Sequence, residues 1–168
     1  KILVTGGARS GKSSFALDTA RAAGPRRLFI ATAEALDAEM EQRIAAHKRD
    51  RGDSWHTIEE PLDPAGALAA AADFDVALVD CITLWMTNLY LKSSAAAAED
   101  AAEGLAHAIE SGSGCSVVLV TNEIGWGVVP DNGMSREFRD VIGFANQRLA
   151  RACSEVFLVA CGLPLRLK

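Results

Sequence analysis

Apolar residues fall along the chain in short continuous runs, separated by longer stretches in which they recur at helical spacing. Residues 1–5 contain Ile2-Leu3-Val4 and predict a buried strand. Residues 27–32, 76–79, 115–121 and 155–161 read the same way. Residues 55–59 alternate with period two and are broken by Pro61, so they predict a short strand or extended segment. After Gly162-Leu163-Pro164, residues 165–168 predict a terminal strand. Between these runs lie helical stretches at residues 13–23, closed by Gly24-Pro25, and 36–51, ended by Gly52. Alanine-rich residues 65–72, then 84–91 and 95–109, continue the series. Ser135 is the predicted N-cap of a long helix to about Cys153, with Phe138, Val141, Ile142, Ala145 and Leu149 on one face. Strands that alternate with helices predict a mostly parallel twisted sheet covered on both faces. Its ligand site is expected at the carboxyl ends of the strands.

Composition narrows this α/β picture. A chain of 168 residues, 49% of them hydrophobic, buries one substantial core, so one domain over residues 1–168 is expected. The net charge of −5 offers no electrostatic footprint for general nucleic-acid binding. Cys81, Cys115, Cys153 and Cys161 lack C-x-x-C spacing and are expected to be buried free thiols in a reducing compartment. No signal-peptide pattern opens the sequence, and no apolar run approaches the roughly 18 residues of a membrane span. A cytoplasmic location is therefore expected.

The chemistry starts at Gly6-Gly7-Ala8-Arg9-Ser10-Gly11-Lys12-Ser13, which matches the phosphate-binding pattern G-x-x-x-x-G-K-[ST] between a predicted strand and a predicted helix. Glycines let successive N–H groups turn onto a phosphate, and the helix N-terminus adds partial positive charge. Lys12 is placed to reach the β- and γ-phosphates, and the Ser13 hydroxyl to bind Mg²⁺. Asp80 closes a fully apolar strand, where P-loop NTPases hold Mg²⁺ with a carboxylate. Asn122 and Glu123 follow another strand, and a carboxylate there can orient a substrate hydroxyl or sit in the metal's outer shell. In the helix of residues 36–51, Arg43, His47 and Arg51 are spaced by four and share a face continuous with Leu36, Met40 and Ile44. Such a face is anchored at one end and lines an anionic ligand at the other. The two arginines are expected to depress the imidazolium form of His47 and keep its ring nucleophilic. Spacing leaves open whether His47 is a general base, a charge donor or a covalent nucleophile.

Several segments together carry a family resemblance. They are Thr5-Gly6-Gly7-Ala8-Arg9-Ser10-Gly11-Lys12-Ser13-Ser14, Ala31-Thr32-Ala33, Arg43-Ile44-x-x-His47-x-x-x-Arg51 and Trp55-x-Thr57-x-Glu59-x-Pro61, followed by Val79-Asp80-Cys81-Ile82-Thr83-Leu84-Trp85 and Thr121-Asn122-Glu123-Ile124-Gly125-x-Gly127-Val128-Val129-Pro130. Over nearly its whole length the chain resembles the bifunctional adenosylcobinamide kinase and adenosylcobinamide-phosphate guanylyltransferase family of cobalamin assembly. The resemblance implies a RecA-like fold, a homotrimer and two reactions. ATP or GTP phosphorylates the aminopropanol hydroxyl of adenosylcobinamide. The histidine matching His47 then takes GMP from GTP, releasing pyrophosphate, and passes it on to form adenosylcobinamide-GDP.

The implied nucleotide-binding set comprises residues 6–13 with Ala31, Thr32, Ala33, Arg43, Lys48, Arg49, Asp50, Arg51, Glu59, Asp80 and Glu123. Ser13 and Asp80 serve the metal. Glu59 is a reasonable guanine reader, since a carboxylate can accept from N1–H and the exocyclic amine together. Lys48 stands where the family commonly has Arg, which keeps a cation without its bidentate geometry. The resemblance does not place the corrinoid; Trp126 and Met134 are candidates because their Gly-rich segment adjoins the active face. Two other readings stay open: a plain P-loop small-molecule kinase using His47 as a charge donor, and a RecA-like nucleotide-switch or nucleic-acid-binding module. Negative charge and compact size count against the second.

Overall fold

A computed structural model describes residues 1–35, 37–112 and 114–168. Among these residues seven strands form one sheet: β1 (Ile2–Thr5), β2 (Arg27–Ala31), β3 (His56–Glu59), β4 (Val76–Asp80), β5 (Ser116–Val120), β6 (Glu155–Ala160) and β7 (Leu163–Arg166). Their order is β3-β2-β4-β5-β1-β6-β7. Every pairing is parallel except β6 with β7, which the Cys161-Gly162 turn makes antiparallel. Residues 77–79 of β4 and 117–119 of β5 are buried, as expected of strands covered on both faces. The terminal strand starts earlier than residue 165 and includes Pro164, which an edge strand tolerates.

The helices are α1 (Lys12–Ala23), α2 (Ala38–Arg51), α3 (Pro64–Ala69), α4 (Ile82–Lys92), α5 (Ala95–Ser111) and α6 (Gly133–Ala152). One face of the sheet packs Leu3, Ile30, Val79 and Leu119 against Leu68, Trp85, Leu105 and Ile142. The opposite face packs Val4, Leu78 and Val120 against Ala16 and Ala20 of α1. Several helix boundaries differ from the sequence reading, and three of the differences have a local cause. The alanine-rich stretch divides into α3 and a 3₁₀ turn (Ala70–Asp73), so it is not one helix. α6 is capped by Asn132, whose Oδ1 accepts from Ser135 N at 2.7 Å, so Ser135 lies inside the first turn. α4 starts at Ile82 because the Cys81 Sγ accepts from Leu84 N, a thiol cap that oxygen-cap rules overlook.

Cys81, Cys153 and Cys161 are free thiols, of which Cys81 and Cys153 are buried and Cys161 is exposed on the β6–β7 turn; Cys115 is half-buried, so burial of all four is not observed. Among the described residues no helix is long and apolar enough to cross a membrane.

Candidate active site

β1 delivers the chain into the phosphate loop and α1 leaves it. Gly6 is required by close approach: a Cβ there would stand 2.4 Å from the Val159 carbonyl oxygen. Gly11, at φ 93°, turns the chain into α1 and lies against Gly162. From behind, Gly162 N donates to Ser10 O at 2.8 Å, so the β6–β7 turn braces the loop. The N–H groups of Ala8, Arg9, Gly11 and Lys12 donate to no acceptor among the described residues, and the buried Ser10 Oγ has no partner. These unused donors form a concavity suited to phosphate oxygens. Lys12 is buried, and its Nζ donates to Gly7 O at 3.1 Å. Burial lowers the Lys12 pKa, opposed by the nearby Cys81 thiol and Asp80 carboxylate.

Asp80 ends β4, level with Ala31 of β2 and Val120 of β5. The Asp80-Cys81 peptide is cis. Thr32 is fully buried, and its hydroxyl both donates to Cys81 O and accepts from Cys81 N, each at 2.8 Å. Asn88 Nδ2 in turn donates to Thr32 O at 2.8 Å and Pro61 O at 3.1 Å. The hydroxyl of Thr32, expected at the nucleotide, is thus committed to the peptide beside Asp80 and positions that carboxylate. Ala31 and Ala33 flank it, half-buried.

α2 brings His47 to this strand end, with Nδ1 3.7 Å from Asp80 Oδ2. That is an ion-pair distance, longer than a hydrogen bond. The side-chain contact with Asp80 raises the His47 pKa, partial burial opposes it, and the nearby Lys12 charge lowers it slightly. The expectation that Arg43 and Arg51 flank the ring and depress its pKa is therefore overturned. Residues spaced by four drift, so Arg43 and Arg51 stand about 80° apart around the helix. Arg43 projects outward to Glu39 at 2.6 Å. Arg51 is buried with its guanidinium carbon 4.0 Å from the Phe29 ring centroid, a cation–π contact that anchors the end of α2. Met40 and Ile44 are only half-buried, and Leu36 lies outside the described residues. Lys48 Nζ donates to Glu59 Oε1 at 2.8 Å, and this contact lowers the Glu59 pKa. Arg49 and Asp50 are exposed; the Asp50 carbonyl accepts from Arg21.

Glu123 is held by groups that motif reading missed. Its Oε1 accepts from Thr5 Oγ1 at 2.9 Å and Asn146 Nδ2 at 3.4 Å, leaving Oε2 without a partner among the described residues. Asn146 also accepts from Thr121 Oγ1 at 2.7 Å, and Thr83 Oγ1 accepts from Asn122 N at 2.9 Å. The signal was present: Asn146 is a polar residue on the apolar face of α6, and a buried polar group needs partners.

A phosphate loop on the interior strand β1, an acidic strand end two places across the sheet and a second carboxylate on the strand inserted between them characterise P-loop nucleotide-binding enzymes of the RecA-like kind. The crystal structure of the RadB recombinase agrees in fold, with a TM-score of 0.51 over 94% of this chain and 72% of that one, at 14% identity. The particular family follows from sequence: the profile of the cobinamide kinase / cobinamide phosphate guanyltransferase family matches residues 2–167, and the chain belongs to that family of enzymes. The bifunctional adenosylcobalamin biosynthesis protein CobP of Pseudomonas aeruginosa is 42% identical, with 99% of this chain and 96% of that protein covered. The corresponding CobU of Salmonella typhimurium is also 42% identical, with 99% of each chain covered. CobU of Escherichia coli is 38% identical over the same share of each.

Proposed function

We propose that this protein phosphorylates the aminopropanol hydroxyl of adenosylcobinamide with ATP or GTP and then converts the phosphate to adenosylcobinamide-GDP through a guanylylated His47. The observation that carries the reading is the placement of His47 against Asp80, at the strand end facing the phosphate loop.

In the first reaction residues 6–13 hold the triphosphate, and Lys12 leaves Gly7 O for the β- and γ-phosphates. Glu123 Oε2 accepts the proton of the cobinamide hydroxyl as its oxygen bonds to the γ-phosphorus and the bridge to the β-phosphate breaks. In the second reaction His47 attacks the α-phosphorus of GTP, forming an N–P bond as the α–β bridge breaks and pyrophosphate leaves. Because Nδ1 faces Asp80, Nε2 is the attacking nitrogen, and Asp80 stabilises the positive charge that the ring acquires. A phosphate oxygen of the cobinamide phosphate then displaces His47 from GMP. Glu59 exchanges Lys48 for N1–H and the exocyclic amine of guanine.

The residues present fit Mg²⁺. The Ser13 hydroxyl and the Asp80 carboxylate, with Oδ2 toward His47 and Oδ1 free among the described residues, are two hard oxygen ligands that leave positions for phosphates and water. Bound there, Mg²⁺ neutralises charge on the transferring phosphates. Free thiols suit a cytoplasmic setting. The exposed Leu163 and Leu165 of β7 support self-association, for which a trimer measured by sedimentation is the expected state.

The test is incubation with GTP labelled at the α-phosphate. A labelled protein adduct that is labile to acid and hydroxylamine, and missing in His47→Ala, is the expected result. No adduct at any Mg²⁺ concentration, with phosphorylation of cobinamide retained, would leave a plain kinase.

A further inference from the structure

Further along the same carboxyl edge, α4, the start of α6 and the loop between β5 and α6 enclose an apolar cavity of about 320 Å³. Its walls include Thr87, Leu91, Ile124, Met134, Phe138 and Arg139. They are built rather than incidental. The Tyr90 hydroxyl on α4 donates to Glu137 on α6, and the Tyr90 ring stands 5.4 Å from that of Phe138. Arg136 Nη1 donates to the carbonyls of Pro130 at 2.9 Å and Asp131 at 2.8 Å, fixing the loop against α6. The same loop exposes Trp126 and Val128, at 72% and 96%, and Met134 and Leu91 are each 60% exposed. Exposed apolar surface of this extent beside a cavity marks a binding site.

Resting on the function proposed above, we infer that this cavity seats the corrinoid, with one edge of the macrocycle inside and its remaining face against the loop. Three observations select that occupant. The first is continuity with the reacting groups. Ile124 follows Glu123, which is tied to Thr5 at the entry to the phosphate loop, and Thr87 lies one turn beyond Thr83, which holds Asn122. A ligand in the cavity therefore reaches the triphosphate past Glu123. The second is chemistry. A corrin presents apolar faces rimmed by amide carbonyls, and the lining is mainly apolar, with the hydroxyl residues Thr87, Tyr90 and Ser135 and one guanidinium, Arg139, that has no polar partner among the described residues. Its donors match amide oxygens, and the phosphate ester once the first reaction has occurred. The third is size: about 320 Å³ holds the edge of a macrocycle and leaves the rest for the exposed loop.

The experiment titrates the wild-type protein, Leu91→Asp, Met134→Asp and Arg139→Ala with adenosylcobinamide in the presence of a non-hydrolysable ATP analogue. Bound corrin is read by its absorbance after ultrafiltration, and a fluorescent GTP analogue and light scattering are measured in parallel. Leu91→Asp and Met134→Asp are expected to weaken corrinoid binding about tenfold or more, since each loses a buried apolar contact. GTP-analogue affinity and oligomeric state are expected to stay as in the wild type. Unchanged corrinoid affinity in all three variants, beside a wild type that binds it, would overturn the cavity assignment and leave the proposed reactions standing. A wild type that neither binds nor consumes adenosylcobinamide would overturn both. Loss of corrinoid binding accompanied by dissociation of an oligomer would overturn the assignment in favour of a subunit interface.

Discussion

Thr32 carries more of the site than its position between two alanines suggests. Its one hydroxyl satisfies both the N–H and the carbonyl of Cys81, and so sets the backbone immediately after Asp80. Thr32→Val keeps the shape and deletes both bonds in a fully buried setting. The expected cost is about 2 kcal/mol in urea unfolding, because the buried Cys81 N–H is left unpaired, while its carbonyl keeps the N–H of Trp85. Guanylylation is expected to fall with it, since Asp80 faces His47. The histidine shows the limit of reading one element. Spacing by four grouped Arg43, His47 and Arg51 on one face, but the group that raises the imidazole pKa is a carboxylate at the end of a strand. Lys48, Arg49 and Arg51 likewise have destinations on Glu59, in solvent and over Phe29, which no helical projection reveals.

At the level of elements, α5 and α6 are joined at the surface by Arg148. Its Nε donates to Glu103 at 2.6 Å, and Nη1 and Nη2 grip Glu110 at 2.7 and 3.1 Å. The guanidinium holds both carboxyls below the ordinary glutamate range. A carboxyl whose folded pKa is depressed stabilises the fold fully above its unfolded value and loses that contribution as pH falls through its folded one. The clasp is therefore intact near neutrality and fails from about pH 4.5 downward. Urea unfolding across that range is expected to show a shallower pH dependence for Arg148→Met than for wild type, and the difference should shrink in high salt. These elements were legible because α5 and α6 repeat apolar residues at helical spacing over several turns. Their ends were less so: Asn132 and Cys81 cap helices whose starts were placed two or three residues later, since several polar residues compete for a cap and only the tertiary path chooses among them.

For the whole molecule, the site exists only where distant parts of the chain converge. Residues 6–13, Asp80 and Glu123 end three different strands, His47 arrives on α2, and the Cys161-Gly162 turn braces the loop from the far end of the sequence. A nucleotide that touches several of them links their stability. At a concentration 100 times its Kd, Mg-GTP is expected to stabilise the fold by about 2.7 kcal/mol. For a chain of this size that raises Tm by about 5–10 °C. Lys12→Ala, which removes the loop's buried cation, is expected to abolish this shift and both transfer reactions, measured by differential scanning fluorimetry and product formation.

By itself the sequence determined the succession of strands and helices, the parallel α/β class, the phosphate loop and the acidic strand end. Each is a local property: burial on one or both faces imposes a period, and the loop's glycines and lysine are contiguous. Only the tertiary structure decided that β5 lies between β1 and β4, bringing Glu123 beside the loop with Thr5 and Asn146 to hold it, and that His47 answers to Asp80 rather than to its neighbouring arginines. Strand order and helix rotation are set by the packing of the whole core. Contacts between elements therefore leave no period or spacing along the chain from which they could be read.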